Sequence, residues 1–502
     1  MADPQFLTVT REQATDGSWL DEARAAWARG EIGLTLIEPA PSQDAELCRA
    51  IATMLDSNGS YQPGDRAVIH ARHAAIAMGC ETAHQLRERG IEATIVFGLS
   101  SLGSEVRSLL EVACRAAERA GKGPATQASP TGRAAPPSGR GSQGPERGAD
   151  TPPRDFRGLD PAILEGVASG YRALLAPLET AGRGHWIVPI GTAPDPDPAH
   201  VPALDFYTQV AGRALAPIGT LRNDGRIRSH DIWLCPSPLD VERLNEGLPR
   251  DQHWSLDEWR SLIFRSMAVS GEELRRLAME IEGVHLTIDA SRRGGVLFYA
   301  REDGTEFTYR VEERPVILDC GSVGIHSLGG TTEYRSAITN QPTTEVFVAP
   351  IEDSLTGVIV YTIPERTVHG TVQAPYRIEV REGCVIGTEA PDAESRKILR
   401  HYTGLEPYDG QNLTGAAREA FLMRRVIAEM AIAGFNPAMQ PEIRSGRLRP
   451  VTGLVLTDEK LGDHQAFGSN DQFMGATPST YRDEHVEHTD FVGTIDRVMR
   501  LK

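Results

Sequence analysis

Glu487-His488-Thr489-Asp490-Phe491-Val492-Gly493 is the stretch on which the reading of this chain turns. As a β-strand it alternates its side chains between two faces, so His488 and Asp490 point the same way. An imidazole nitrogen and a carboxylate oxygen side by side suit a divalent metal. A His-x-Asp triplet is common, and a solvated strand end is the plainer account of it. Its weight comes from possible partners upstream: His464 in Asp463-His464-Gln465-Ala466-Phe467-Gly468, Glu429 in Ile427-Ala428-Glu429-Met430, and Glu345 in Thr344-Glu345-Val346-Phe347.

The chain has 502 residues, too many for one ordinary core, so two or three domains are expected. Its net charge of −17 argues against nucleic acid, which needs a basic footprint, and against an anionic membrane surface. The six cysteines, Cys48, Cys80, Cys114, Cys235, Cys320 and Cys384, are widely spaced and form no CxxC pair. They read as buried, reduced thiols of a cytoplasmic protein. The first residues lack a basic segment followed by an apolar run, and no stretch of about 18 apolar residues exists, so neither a signal peptide nor a membrane span is expected.

Residues 1–121 and 159–245 read as one α/β domain. Ala67-Val68-Ile69-His70 is a short apolar strand, a helix is predicted over about 73–89 with Gly90 as its C-cap, and Ala93–Phe97 is the next strand, a spacing that argues for parallel pairing. Helices are predicted near 43–55, 104–120, 160–180 and 204–216, with strands at His185–Ile190 and Asp231–Cys235. Between the two parts, residues 122–158 are mostly Gly, Pro, Ser, Thr, Ala and Arg. Such a run cannot bury enough surface to offset its ordering entropy, and it reads as a disordered insertion. No GxGxxG follows a strand and no Walker sequence occurs, so a nucleotide site is not indicated.

Residues 246–502 read as an α+β metal-binding domain with a mostly antiparallel sheet. Helices are predicted near 255–266 and 270–281. Strands follow at Val284–Ile288, Val296–Tyr299, Glu306–Val311, Val316–Leu318, Glu345–Pro350 and Gly357–Thr362, then a hairpin from Tyr376–Arg381 to Cys384–Ile386 turning on Glu382-Gly383. Helices near 391–402 and over about 415–431 come next, and the second would carry Glu429.

Glu345, Glu429, His464, His488 and Asp490 together supply three carboxylates and two imidazoles. Two divalent ions bring four positive charges, which three carboxylates and one hydroxide balance; such a site acidifies water and polarises a carbonyl. The motifs in this order resemble those of the thermophilic aminopeptidases T and S. Asn340-Gln341-Pro342-Thr343-Thr344-Glu345-Val346, Glu429 followed by Gly434-Phe435-Asn436-Pro437, Asp458-Glu459-Lys460-Leu461-Gly462-Asp463-His464, and His488-Thr489-Asp490 each have a counterpart there. The resemblance implies a homodimeric metallo-aminopeptidase that frees the N-terminal residue of a small peptide or amide. It implies two Zn, Co or Mn ions on Glu345, Glu429, His464, His488 and Asp490, with Glu429 also a catalytic carboxylate.

Departures from that pattern stand in the same stretch. Thr344 replaces the Gly of the first motif, Asp471 stands where the better-known members have a catalytic Tyr, and Asp483 and His485 stand where Asn and Ser are usual. His485 reads either as an outward strand histidine or as an acid/base group turned into the pocket, and Tyr481 is a candidate substitute for the Tyr. A related branch of the same fold cleaves a dihydroxypyridine ring with one Fe(II) on two His and one Asp, a set that His464, His488 and Asp490 could supply alone. A metal-binding scaffold without catalysis is the third alternative. For the insertion, deletion of 122–158 is expected to leave the melting temperature nearly unchanged in a thermal scan, because loop length enters closure entropy only logarithmically. A drop of many degrees would show that the segment docks onto the fold.

Overall fold

The structure, a computed structural model, describes residues 6–10, 12, 34–71, 75–97, 178, 183–192, 221, 226–328, 332–336, 338–343, 345–367, 369–410, 412–454, 456, 460–469 and 488–502. The expected insertion over 122–158 and the helices read near 104–120 and 204–216 lie outside the described residues, and of the helix near 160–180 only Leu178 is described.

The N-terminal half is a sheet with helices packed on it. In chain order come β1 (Phe6–Val9), β2 (Leu34–Ile37), α1 (Ala45–Asn58), β3 (Arg66–His70), α2 (Ile76–Glu88), β4 (Glu92–Phe97), β5 (Gly184–Ile190) and β6 (Ile227–Leu234). Asp44 caps α1 by accepting from the Glu46 and Leu47 amides, and Gly59 closes it at φ 71°, a value a side chain resists. Within β3 the run Ala67-Val68-Ile69-His70 is buried throughout, as befits a strand covered on both faces. The strands lie in the order β1-β2-β4-β3-β5-β6, parallel except between β2 and β4.

Next come α3 (Pro238–Asn245), α4 (Leu256–Met267), α5 (Gly271–Ala278) and α6 (Glu282–Arg293). The expected strand at Val284–Ile288 is instead the start of α6. Its buried residues include Val284, Thr287, Ile288 and Ser291, and that spacing of three and four fits one helical face despite the β-branched types.

The rest is largely antiparallel sheet. It comprises β7 (Val296–Ala300), β8 (Glu306–Arg310), β9 (Val316–Asp319), β10 (Gly324–Leu328), β11 (Thr332–Ser336), β12 (Ile338–Gln341), β13 (Glu345–Val348), β14 (Thr356–Tyr361), β15 (Glu365–Thr367), β16 (Gly370–Val372), β17 (Tyr376–Arg381), β18 (Cys384–Glu389), α7 (Ala393–Tyr402), α8 (Gly415–Met423), β19 (Ile427–Ile432), α9 (Gln440–Arg444), β20 (His464–Gly468), β21 (His488–Val492) and β22 (Val498–Leu501). The long helix expected over 415–431 stops at Met423, and β19 follows. All six residues of β19 are buried, so no helical stripe exists there, and Val426-Ile427-Ala428 feeds a central strand that needs partners on both edges.

Two antiparallel sheets dominate this half, one in the order β21-β20-β19-β13-β9 and one in the order β18-β17-β14-β8-β7-β22. An apolar core that includes Leu297, Phe307, Val346, Ile359, Phe467 and Phe491 draws on both. In contrast, β12 leaves this half and pairs in parallel with β6, which attaches the turn before β13 to the edge of the N-terminal sheet.

That attachment is made over a buried polar network. Asp231 on β6 accepts from Asn58 at the end of α1 (2.9 Å), from Ser229 (2.8 Å), from Thr339 on β12 (3.0 Å) and from the Tyr61 hydroxyl. Ser229 continues to His185 (2.8 Å) and His185 to Asp65 (2.9 Å). Carboxylate, imidazole and hydroxyl stand in series there, but Asp65, His185 and Ser229 are each 0% exposed, so no substrate reaches them and the network is structural. Removing the Asp231 carboxylate strands up to four donors, each costing about 1–3 kcal/mol when buried without a partner. Asp231→Ala is therefore expected to lower stability by about 3 kcal/mol or more, read as a fall in the urea midpoint at unchanged slope, and Tyr61→Phe by about 1 kcal/mol.

Candidate metal centre

The candidate site is one face of the sheet β21-β20-β19-β13-β9. In antiparallel pairing, residues opposite each other share a face. Ala466 on β20 stands opposite Glu429 on β19 and opposite Asp490 on β21. His464 lies two residues before Ala466 and so on the same face. A register shift between Ile427 and Glu429 marks a bulge that re-aims the glutamate. Ala466 is fully buried and contributes only a methyl group, which leaves room in the middle of this group. On β13, Phe347 stands opposite Ala431, so Glu345 falls on this face too, paired across the ladder with Asp319 of β9.

Glu429, His464 and Asp490 each bring one ligand atom within 4.8 Å of the others. His464 Nε2 lies 3.5 Å from Glu429 Oε1 and 3.6 Å from Glu345 Oε2. Its other nitrogen, Nδ1, lies 3.3 Å from the Gly462 carbonyl. A carbonyl only accepts, so Nδ1 donates to it and Nε2 is turned toward the carboxylates, the orientation of a metal-ligating histidine. Two carboxylates and one imidazole, on three adjacent strands of one sheet, are a donor set that fits a divalent ion. Burial by itself would lower the His464 pKa, but Glu429, Asp490 and Glu345 around it outweigh that and push it up to about 10. An ion bound at Nε2 therefore displaces a proton.

Glu345 stands outside that group of three. Its Oε1 lies 2.6 Å from Lys460 Nζ, and the same ammonium is 3.5 Å from Asp319 Oδ2. Lys460, Glu345 and Asp319 are all buried, each 3% exposed. Burial raises the Asp319 pKa most and Glu345 adds to the rise; against the opposing pull of Lys460 the result is about 7. Sequence reasoning quoted Lys460 and gave it no role, and Asp319 was missed. The signal available was a lysine four residues before His464, in Asp458-Glu459-Lys460-Leu461-Gly462-Asp463-His464.

His488 lies on β21 with its backbone opposite Gly468, and its side chain is outside the described residues. His485, Asp471, Tyr481 and Asp483 also lie outside the described residues.

The scaffold under the site is held by charge and amides. Asp463, immediately before β20, is 0% exposed and accepts from the Ala433 amide (3.1 Å), the Tyr299 hydroxyl (2.7 Å) and the Arg497 guanidinium. Asn436 donates to the carbonyls of Ser266 (3.1 Å) and Thr343 (3.2 Å), tying the turn after β19 to α4 and to the approach to β13. Beside Lys460 a small cleft opens at the C-terminal ends of β5 and β6, lined by apolar residues of both strands together with Asn340, Gln341, Pro342 and Leu456.

No protein-family profile matches the chain, and no curated protein matches it in sequence. Among solved structures, wild-type AmpT from Thermus thermophilus superposes with a TM-score of 0.56 at 16% identity, over 91% of this chain and 94% of that one. The two share a fold. The 2,5-dihydroxypyridine dioxygenase from Pseudomonas putida KT2440 gives a TM-score of 0.43 at 14% identity, over 92% of this chain and 95% of that one. His464→Ala and Glu429→Gln are each expected to weaken binding of Zn²⁺, Co²⁺ or Mn²⁺ at least about tenfold by calorimetry while the circular dichroism spectrum stays native, since even the partners behind a ligand are worth that much. Parent-like affinity in both variants would show that the ion, if any, sits elsewhere.

Proposed function

We propose that the protein is a metal-dependent hydrolase of the aminopeptidase kind, cutting the N-terminal amide of a small peptide with a metal-activated water. The observation that carries this is the convergence of Glu429, His464 and Asp490 within 4.8 Å on adjacent strands, with a further carboxylate, Glu345, one strand over. The shared fold with AmpT supports it. So do the ordered motifs around Glu345, Glu429, His464 and Asp490.

A divalent ion held there supplies Lewis acidity and a water whose proton is easily lost. The chain's own residues do the rest. Glu429, His464 and Asp490 hold the ion, and Gly462 keeps the imidazole turned with Nε2 inward. Glu345, with Oε2 3.6 Å from His464 Nε2, is placed to accept the proton of the attacking water. No hydroxyl or thiol nucleophile is required.

The test is release of the N-terminal residue from short unblocked peptides by the metal-loaded protein. Activity should be abolished by chelation and restored by Zn²⁺, Co²⁺ or Mn²⁺. Glu429→Gln and Glu345→Gln should each lower kcat by at least about 100-fold, the lower range for losing a positioned acid/base group. A parent protein that releases no residue, and instead consumes oxygen with a dihydroxylated aromatic while holding one iron, would sink the hydrolase reading.

A further inference from the structure

We propose that the Lys460 ammonium is the second cation of this centre: one divalent ion sits on Glu429, His464 and Asp490, and Lys460 holds the neighbouring position, against Glu345 and Asp319, that a second ion would take. This rests on the metal-dependent reading above and replaces the pair of ions that the family resemblance implies.

The argument is one of occupied atoms. On the ligand set that the family resemblance implies, a second ion would bond Glu345, at about 2.0–2.2 Å, and sit about 3.5–4 Å from the first. Glu345 Oε1 already receives Lys460 Nζ at 2.6 Å. The other oxygen, Oε2, faces His464 Nε2 at 3.6 Å, on the side of the first ion. One carboxylate thus stands between an ammonium and the metal position, with one oxygen toward each. Asp319, the next acid along this face, is also engaged, since its Oδ2 lies 3.5 Å from the same ammonium and 3.1 Å from the Asn340 amide.

Lys460 has little freedom to leave. It is 3% exposed, and it belongs to the segment that also carries His464, four residues on. An ammonium and a second divalent ion a few ångströms apart in a buried site would repel strongly, because little water is present to screen them. The lysine also lines the cleft at the ends of β5 and β6.

The experiment is metal stoichiometry, which does not depend on catalysis. The parent protein, loaded with excess Mn²⁺ and then gel-filtered, should carry one ion per chain by elemental analysis. It should show the paramagnetic resonance spectrum of an isolated Mn²⁺. Lys460→Met removes the charge at similar length, and this variant should carry two ions per chain and show a coupled pair. Two coupled ions in the parent would overturn the proposal, as would a natively folded Lys460→Met that still takes one. If that variant fails to fold, the parent's stoichiometry and spectrum decide the matter alone. A parent that binds no ion overturns both this proposal and the hydrolase reading. One isolated ion without peptide hydrolysis overturns the hydrolase reading only.

Discussion

Four carboxylates, Asp319, Glu345, Glu429 and Asp490, project from one face of one sheet, and their mutual repulsion away from water is the constraint around which the C-terminal half is arranged. Three of the four are each 3% exposed. Such charges persist inside a protein only when paired or bound to metal. Lys460 meets part of that demand at Glu345 and Asp319, and the His464 imidazole lies among Glu345, Glu429 and Asp490. What remains is negative and inward-facing, the electrostatic condition for taking up a cation.

A site of this kind needs ligands held where they are, and the chain holds them through a second layer of polar contacts. Asp463 gathers Tyr299, Arg497 and the Ala433 amide just before His464, so the start of β20 is fixed from three directions. Asn436 does the same for the turn after Glu429. Each of these residues adjoins a ligand strand and bonds to the framework around it, which is how a rigid frame orients a metal site.

The N-terminal sheet enters through β12. Its pairing with β6, over the Asp231 network, brings the approach to Glu345 beside the C-terminal ends of β5 and β6. Ligands of open α/β sheets bind outside the carboxyl ends of the parallel strands. Here that end meets the face that bears the carboxylates, with Lys460 on the wall between them.

The sequence by itself determined the local patterns. Apolar and polar residues alternate along β17, Gly90 and Gly383 at positive φ marked the turns that were read from them, and the strand-helix-strand spacing around β3 spoke for parallel pairing. The ordered motifs picked out Glu345, Glu429, His464, His488 and Asp490, and of these Glu429, His464 and Asp490 converge. Tertiary structure decided the rest. Val284–Ile288 became helix because its burial falls at helical spacing, and Glu429 moved from a helix to a strand because β13 and β20 needed a partner between them. Neither outcome is written in local propensity, since β-branched residues are tolerated in helices and apolar runs serve both states. Lys460 is the clearest case: no spacing rule announces a buried ammonium, because its partners lie 115 and 141 residues away and only the assembled sheet brings them together.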